Sequence, residues 1–363
     1  MLKKISGILA LLIGIFLVYL MVWPVPIDPV AWNAPPNPGY TGPFAENNIL
    51  ADIETLSIGD NHGPEDFAQD EAGRIYAATH EGIIVRLQPD GSGPENWAET
   101  GGRPLGSEFD KTGNLILVDA LRGLLSISSD GEVTVLTDTA DGIPISYADD
   151  VDVAADGKVY FSDASTKFPA ESGSNEPSVL DIIEHGGHGR LLMYDPATEQ
   201  TKVLVKGLNF ANGVAVSHDQ QYVLVCETGS YRVLKHWIAG PQKGQTEPFI
   251  ENLPGFPDNI STGRNGRFWL AFFAPRNALL DKLSNKPFFR KVIQRLPNLI
   301  KPKAAVYGHI IALDTSGNVI KNFQDPNTKY PKNTSVMETD QYLYIGSLTA
   351  PVAARLSKVK AGF

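Results

Sequence analysis

The sequence predicts an all-β fold, a six-bladed β-propeller with an N-terminal transmembrane helix and a helical insertion capping one face. Three observations carry this. First, beyond residue 50 one pattern recurs: an apolar strand, a turn containing Asp or Asn and often Gly, then a second strand. The turns are Asp70-Glu71-Ala72-Gly73, Asp110-Lys111-Thr112-Gly113, Ala155-Asp156-Gly157, His218-Asp219-Gln220, Arg264-Asn265-Gly266 and Glu338-Thr339-Asp340. Where the repeat is plain they lie roughly forty to forty-six residues apart, the period of a four-stranded blade. Second, 34 glycines and 26 prolines supply the turns that many short strands require. Third, no long helical pattern interrupts the strand-turn units. A β-sandwich is the alternative architecture.

Taken in order, residues 5–23 form an unbroken apolar run behind Lys3 and Lys4. A run of about nineteen apolar residues spans a bilayer core as a helix. The lysines hold the N-terminus in the cytoplasm, which places the remainder outside it, in a periplasmic, lumenal or extracellular space. A cleaved signal peptide is the competing reading, but the run ends in Tyr19-Leu20-Met21-Val22-Trp23-Pro24 and not in small residues. Residues 1–23 are therefore read as a signal-anchor. Residues 24–50 are proline-rich and read as an extended spacer. Residues 51–363 are the propeller, and the β-like stretch at 53–58 pairs with the last blade to close the ring.

Two long intervals hold insertions. Residues 168–189 are polar and glycine-rich, with His185 and His188 near the end. Residues 275–306 place apolar side chains at three- and four-residue spacings with basic ones between, the pattern of an amphipathic helix. From Arg276 to Lys303 there are eight basic residues against one acidic, Asp281, which predicts either a face resting on anionic lipid or a solvated cap.

Composition narrows the function. The chain has 363 residues, 42% hydrophobic and 20% charged, as in ordinary globular proteins. A net charge of −10 excludes nucleic-acid binding, which needs a basic face. Cys226 is the single cysteine, so no intrachain disulfide forms, and its apolar setting predicts a buried, inert thiol.

The chemistry lies in four blade-entry stretches: Gly63-Pro64-Glu65-Asp66, Ala148-Asp149-Asp150-Val151, Phe210-Ala211-Asn212-Gly213 and Phe256-Pro257-Asp258-Asn259. Around a common axis, Glu65, Asp149, Asn212 and Asp258 converge as oxygen donors, with Asn259 a fifth. Such a set suits a hard cation such as calcium, with water and substrate completing its shell. Taken singly, each stretch also reads as a turn former. Four stretches with matching flanks favour the metal.

Phe210-Ala211-Asn212-Gly213-Val214-Ala215-Val216-Ser217 resembles the strand-entry motif of the calcium-dependent six-bladed propellers, a superfamily that includes regucalcin, gluconolactonases, paraoxonases and strictosidine synthase-like proteins. Gly102-Arg103-Pro104-Leu105-Gly106 and Leu253-Pro254-Gly255-Phe256-Pro257-Asp258-Asn259-Ile260 place the resemblance in the strictosidine synthase-like branch, over nearly the whole chain. It implies a catalytic calcium on Glu65, Asp149, Asn212, Asp258 and Asn259, with Asp149 where the family usually has asparagine. It implies a second, structural calcium on Asp66 and Asp150, against the plainer expectation that both aspartates bond blade-entry amides. It further implies hydrolysis of a small ester or lactone, with Asp258 as the reactive carboxylate. Two departures matter. The paraoxonase histidine pair falls on Leu105 and Ala120, and the glutamate of strictosidine synthase falls near Thr334 or Ser335. A non-catalytic calcium-stabilised binding propeller and a lyase are therefore the rival readings. His80, His185 and His188 read as rim histidines.

Overall fold

A computed structural model describes residues 2–328 and 330–363. Six four-stranded antiparallel sheets surround one axis. Their innermost strands are Asp66–Gln69, Pro104–Phe109, Ala148–Val153, Ala211–Val216, Gly255–Thr262 and Asn333–Glu338, which we number blades 1 to 6. Glu54–Leu56 pairs with Ala353–Ser357 and completes blade 6, so the ring closes by joining the two ends of the propeller. This removes the open sheet edges that would otherwise invite association.

The turn residues do what their chemistry requires. Asp70 and Asp110 each accept the amide four residues on, from Arg74 and Asn114 at 2.8 and 2.9 Å, while Gly73 and Gly113 take the left-handed conformation at φ 81° and 85°. Inner and second strands are buried on both faces, because each blade packs on two neighbours; Ala211–Val216 and Tyr222–Glu227 have no exposed residue. Cys226 lies in this layer, fully buried and unpaired.

Five of the six inner strands open with two residues bulged out of register. Leu105 and Gly106 fall between the pairs Pro104↔Asp119 and Ser107↔Leu117. Asp149 and Asp150, Asn212 and Gly213, Asp258 and Asn259, and Thr334 and Ser335 occupy the same place in blades 3 to 6. In blade 1, Phe67 pairs Ala77 as Val151 pairs Phe161, so Glu65 and Asp66 are the positional counterparts, although Asp66 stays in register with Ala78. A bulge re-aims side chains that a regular pleat would alternate between faces.

The helices and spacer form a lid. α1 (Leu2–Val22) is apolar and outside the packed body. α2 (Glu176–Glu184) lies in the first insertion, where the sequence predicts only a polar loop; nine residues carry too little periodicity to announce a helix. α3 (Ala278–Lys282) and α4 (Pro287–Gln294) lie in the second, the latter matching the amphipathic pattern. The proline-rich segment is extended but not free. Val30 N–H donates to Glu184 at 2.8 Å, Trp32 N–H to Ser284 at 3.1 Å, and the Trp32 ring stacks on His185 at 4.0 Å. Arg290, 1% exposed, donates to the carbonyls of Val30, Ile183 and Ser284. Arg295 caps the end of α1 through the carbonyls of Trp23 and Leu20, at 2.5 and 2.8 Å.

Both insertions join a second strand to a third, and in an antiparallel meander those loops share an end with the entries to the inner strands. The lid, the blade entries and the end of α1 therefore occupy one face.

Candidate metal centre

The bulges decide which side chains meet. Asp149, Asn212 and Asp258 hold the same bulge position in three blades, Glu65 stands at the corresponding place just before the inner strand of blade 1, and all four are 4–6% exposed. The carboxylates act on one another. Burial raises the Asp258 pKa well above the usual range, Glu65 and Asp149 raise it further, and a hydrogen bond with Asn212 opposes them. Burial likewise raises Asp149, with Glu65 adding to it and Arg103 opposing. Glu65 is pushed up to about 7 by burial, against the pull of Arg103. Repulsion among three buried acids is relieved by protonation or by a nearby positive charge.

Neighbouring blades hold the ring in place. Thr334 and Ser335 donate from their hydroxyls to the Glu65 carbonyl at 2.6 and 2.8 Å, and Thr228 donates to the Pro257 carbonyl at 2.7 Å. Gly213 is obligatory for a steric reason: a Cβ there would sit 2.3 Å from the Ile260 nitrogen.

Among the described residues, no three His, Cys, Asp or Glu side chains group tightly enough to hold a metal by themselves. The donor set of the ring is mixed, and the amides complete it. Asn212 Oδ1 and Asn259 Oδ1 and Nδ2 are buried without a hydrogen-bond partner. Unsatisfied buried amide oxygens beside excess buried carboxylate are what a hard, oxygen-seeking cation relieves. The residues therefore fit calcium.

Asp66 and Asp150 differ. Asp66 Oδ2 accepts the Ser107 amide at 2.9 Å, and Asp150 Oδ2 accepts the Val214 amide at 2.7 Å. Each stitches its blade to the next, 1 to 2 and 3 to 4. A Cβ on Gly106 would lie 2.1 Å from Asp150 Oδ1, so the glycine admits this carboxylate. With Asn259 and Asp152 they line a cavity of about 220 Å³ along the axis.

The remaining two ring positions carry Leu105 and Thr334, and Ala120 is buried. The histidines are engaged elsewhere on the lid side: His188 bonds Glu184 at 2.7 Å, and His185, stacked on Trp32, is held down to about 3 by burial. His80 packs against His62, the rings tilted by 37° with centroids 4.8 Å apart.

Arg103 is the residue the sequence reading left without a role, although its segment was conspicuous. It is 3% exposed, and Nε and Nη1 have no partner. A basic residue just before a strand entry, within an otherwise small and apolar segment, was the available signal.

A strictosidine synthase profile matches residues 149–241, and a strictosidine synthase-like N-terminal profile matches residues 42–87. Strictosidine synthase-like 6 of Arabidopsis thaliana is 36% identical over 333 residues, covering 88% of this chain and 85% of its own. The chain belongs to the strictosidine synthase-like family. The adipocyte plasma membrane-associated protein of Rattus norvegicus is 32% identical to this strictosidine synthase-like chain over 361 residues, covering 93% and 94%. Among solved structures, a gluconolactonase of Xanthomonas campestris superposes with a TM-score of 0.61 at 17% identity, covering 92% of this chain and 96% of its own. Regucalcin of Agrobacterium tumefaciens, described as a calcium-binding protein, superposes at 0.57 with 12% identity, covering 84% and 93%. At these identities the structural likeness speaks for the propeller of this strictosidine synthase-like protein alone.

Proposed function

We propose that this protein is a membrane-anchored, calcium-dependent hydrolase of esters or lactones. The observation that carries the reading is the convergence of three buried carboxylates with amides lacking partners at the propeller axis. Glu65, Asp149, Asn212, Asp258 and Asn259 would hold the ion, which when bound supplies Lewis-acid polarisation of a carbonyl. Asp258 accepts the proton of the attacking water, or attacks directly, since it is the ring carboxylate that feels both other acids and one amide. The lid excludes bulk water from the entry face. A second ion on Asp66 and Asp150 has less to gain, because each already holds a backbone amide.

The anchor sets the direction of access. α1 is apolar enough to span a bilayer, and its end is tied to α4 on the entry face. Phe288, Phe289 and Ile300 are about half exposed beside Lys286, Lys291 and Lys301. In this reading α1 crosses with its N-terminus in the cytoplasm, and the 275–306 insertion rests on anionic lipid. A substrate then reaches the axis from the membrane side.

One observation favours a second reading, a calcium-stabilised binding propeller without turnover: Leu105 and Ala120 put apolar side chains where the paraoxonase-type resemblance implies a histidine pair. A lyase is disfavoured by Thr334 and Ser335, whose hydroxyls are committed to the Glu65 carbonyl. Hydrolysis of an aryl-ester and lactone panel, with calcium and after chelation, separates the readings. The hydrolase reading expects turnover lost on chelation and in Asp258→Ala with the fold retained. Calcium-dependent thermal stabilisation without turnover across the panel would transfer the assignment to the binding propeller.

A further inference from the structure

Arg103 stands out among the buried arginines. Arg190 makes two bonds to Asp163 and reaches the Pro144 carbonyl, and Arg276 bonds Asp281, Asn252 and the Pro35 carbonyl. Arg290 serves four carbonyls and leaves only Nε without a partner. Arg103 is as buried as these, yet its Nε and Nη1 donate to nothing. A guanidinium is a persistent cation with directional donors, so leaving two of its nitrogens buried and unbonded is unfavourable unless something completes them.

Its position is fixed and its charge reaches the ring. The Arg103 carbonyl accepts the Ala120 amide at 2.9 Å. Gly102 before it lies against Asp119, where a Cβ would meet Oδ1 at 2.2 Å. The guanidinium charge acts on Glu65, Asp149 and Tyr147. It therefore lies within electrostatic reach of the ring while bonding none of the three. A cation present only to balance the ring would spend its donors on those carboxylates, as Arg190 does on Asp163. With the donors unspent, the fitting occupant is a planar anion small enough to enter beside the reacting carbonyl. A carboxylate meets that description.

We propose that Arg103 is a substrate-binding residue that receives a carboxylate on the substrate, so that the ester or lactone accepted here is an acidic one. The inference rests on the reading of this face as a ligand site, but not on turnover. It also predicts that the site discriminates against neutral isosteres, because removal of the anion leaves the guanidinium unpaired.

The test is calorimetric binding to the full-length protein, calcium-loaded and in detergent micelles. The probes are tetrahydropyran-2-carboxylate and its primary amide. Wild type is expected to bind the carboxylate at least about tenfold more tightly than the amide, as a charge-assisted pair should. Arg103→Met should abolish that preference, and Arg103→Lys should retain part of it. Calcium affinity, titrated without probe, should rise in Arg103→Met, because the buried charge that acts on Glu65 and Asp149 also repels a cation held by them. Equal binding of both probes to wild type, or no binding of either, overturns the proposal. So does a preference that survives in Arg103→Met, since the acid would then sit on the metal. A calcium affinity altered more than about tenfold with the preference intact assigns Arg103 to charge balance instead. A full ester panel without turnover, beside an Arg103-dependent preference, would remove the hydrolase reading and leave this one standing.

Discussion

In blade 3 the carboxylate that ends the second strand, Asp163, is met across the sheet by Arg190; in blade 2 its counterpart Asp119 is met by Gly123. Asp163 accepts Arg190 Nε and Nη2 at 3.0 and 2.6 Å, and with its other oxygen it takes the amides of Ser146 and Tyr147. That grip holds the segment leading to Asp149. Blade 4 repeats the device, Glu227 taking Arg232 on one side and the Asn209 amide on the other, ahead of Asn212. In blade 2, Asp119 Oδ1 accepts only Leu121 N–H and Oδ2 has no partner. Gly123, at φ 87° with Thr137 O 2.5 Å from any added Cβ, has no room for an arginine. Blades 3 and 4, which clamp their entry with an acid-arginine pair, bring Asp149 and Asn212 to the ring, while blades 1 and 5 bring Glu65 and Asp258 with Thr79 and Phe272 at the matching place. Blade 2, without the pair, presents Leu105 and leaves Nε and Nη1 of Arg103 without partners.

The largest test of this contrast is Arg190→Met. It strands Asp163, which is fully buried, so unfolding stability should fall by about 3–5 kcal/mol. Calcium affinity should fall with it as the Asp149 segment loosens. Chemical denaturation in chelator, followed by calcium titration, measures both, and Asp163→Asn combined with Arg190→Met should recover most of the stability.

A buried acid with no arginine at all lies in α2. Asp181 accepts Ser165 Oγ at 2.6 Å, its other oxygen is unpartnered, and burial pushes it up to about 6. Because the native pKa is raised, the native state holds a proton that the unfolded chain has released. Stability is then highest below about pH 4, declines toward about pH 6 and is level above it. Asp181→Asn should remove that decline, gaining on the order of 2 kcal/mol at pH 7 and nothing at pH 4. Denaturation midpoints at the two pH values check the sign.

Arg232→Met should cost less than its blade 3 counterpart, about 1 kcal/mol, since Arg232 is 35% exposed and water screens the pair. The smallest effect belongs to blade 2. Asp119→Asn removes a charge whose Oδ2 bonds nothing, and should change stability by less than about 1 kcal/mol, where Asp163→Asn costs more. Equal losses at Asp119 and Asp163 would dissolve the distinction between clamped and unclamped entries.

Much of the site was legible because entry motifs are local. Phe-Pro-Asp-Asn at 256–259 and Phe-Ala-Asn-Gly at 210–213 carry their donors beside turn residues whose conformational demands show in the string itself. The bulge was not legible, because it is a relation between two strands and not a property of either. Asp66 and Asp150 look like ligands one at a time; only the partner strand shows that each is held by an amide on the next blade. Arg103 was visible as a residue and invisible as an unbonded one, since lacking a partner is a fact about everything around it.

Sequence alone determined the six repeats, the apolar N-terminal run and the acidic and amide residues at the blade entries, because turn chemistry, strand alternation and hydropathy act over a few neighbouring residues. Tertiary structure alone decided that the proline-rich segment docks and does not dangle, that α2 exists, and which entry is clamped. Those outcomes depend on contacts such as Arg276 with the Pro35 carbonyl, 241 residues apart, whose formation is settled by ring closure and burial and leaves no trace in local pattern.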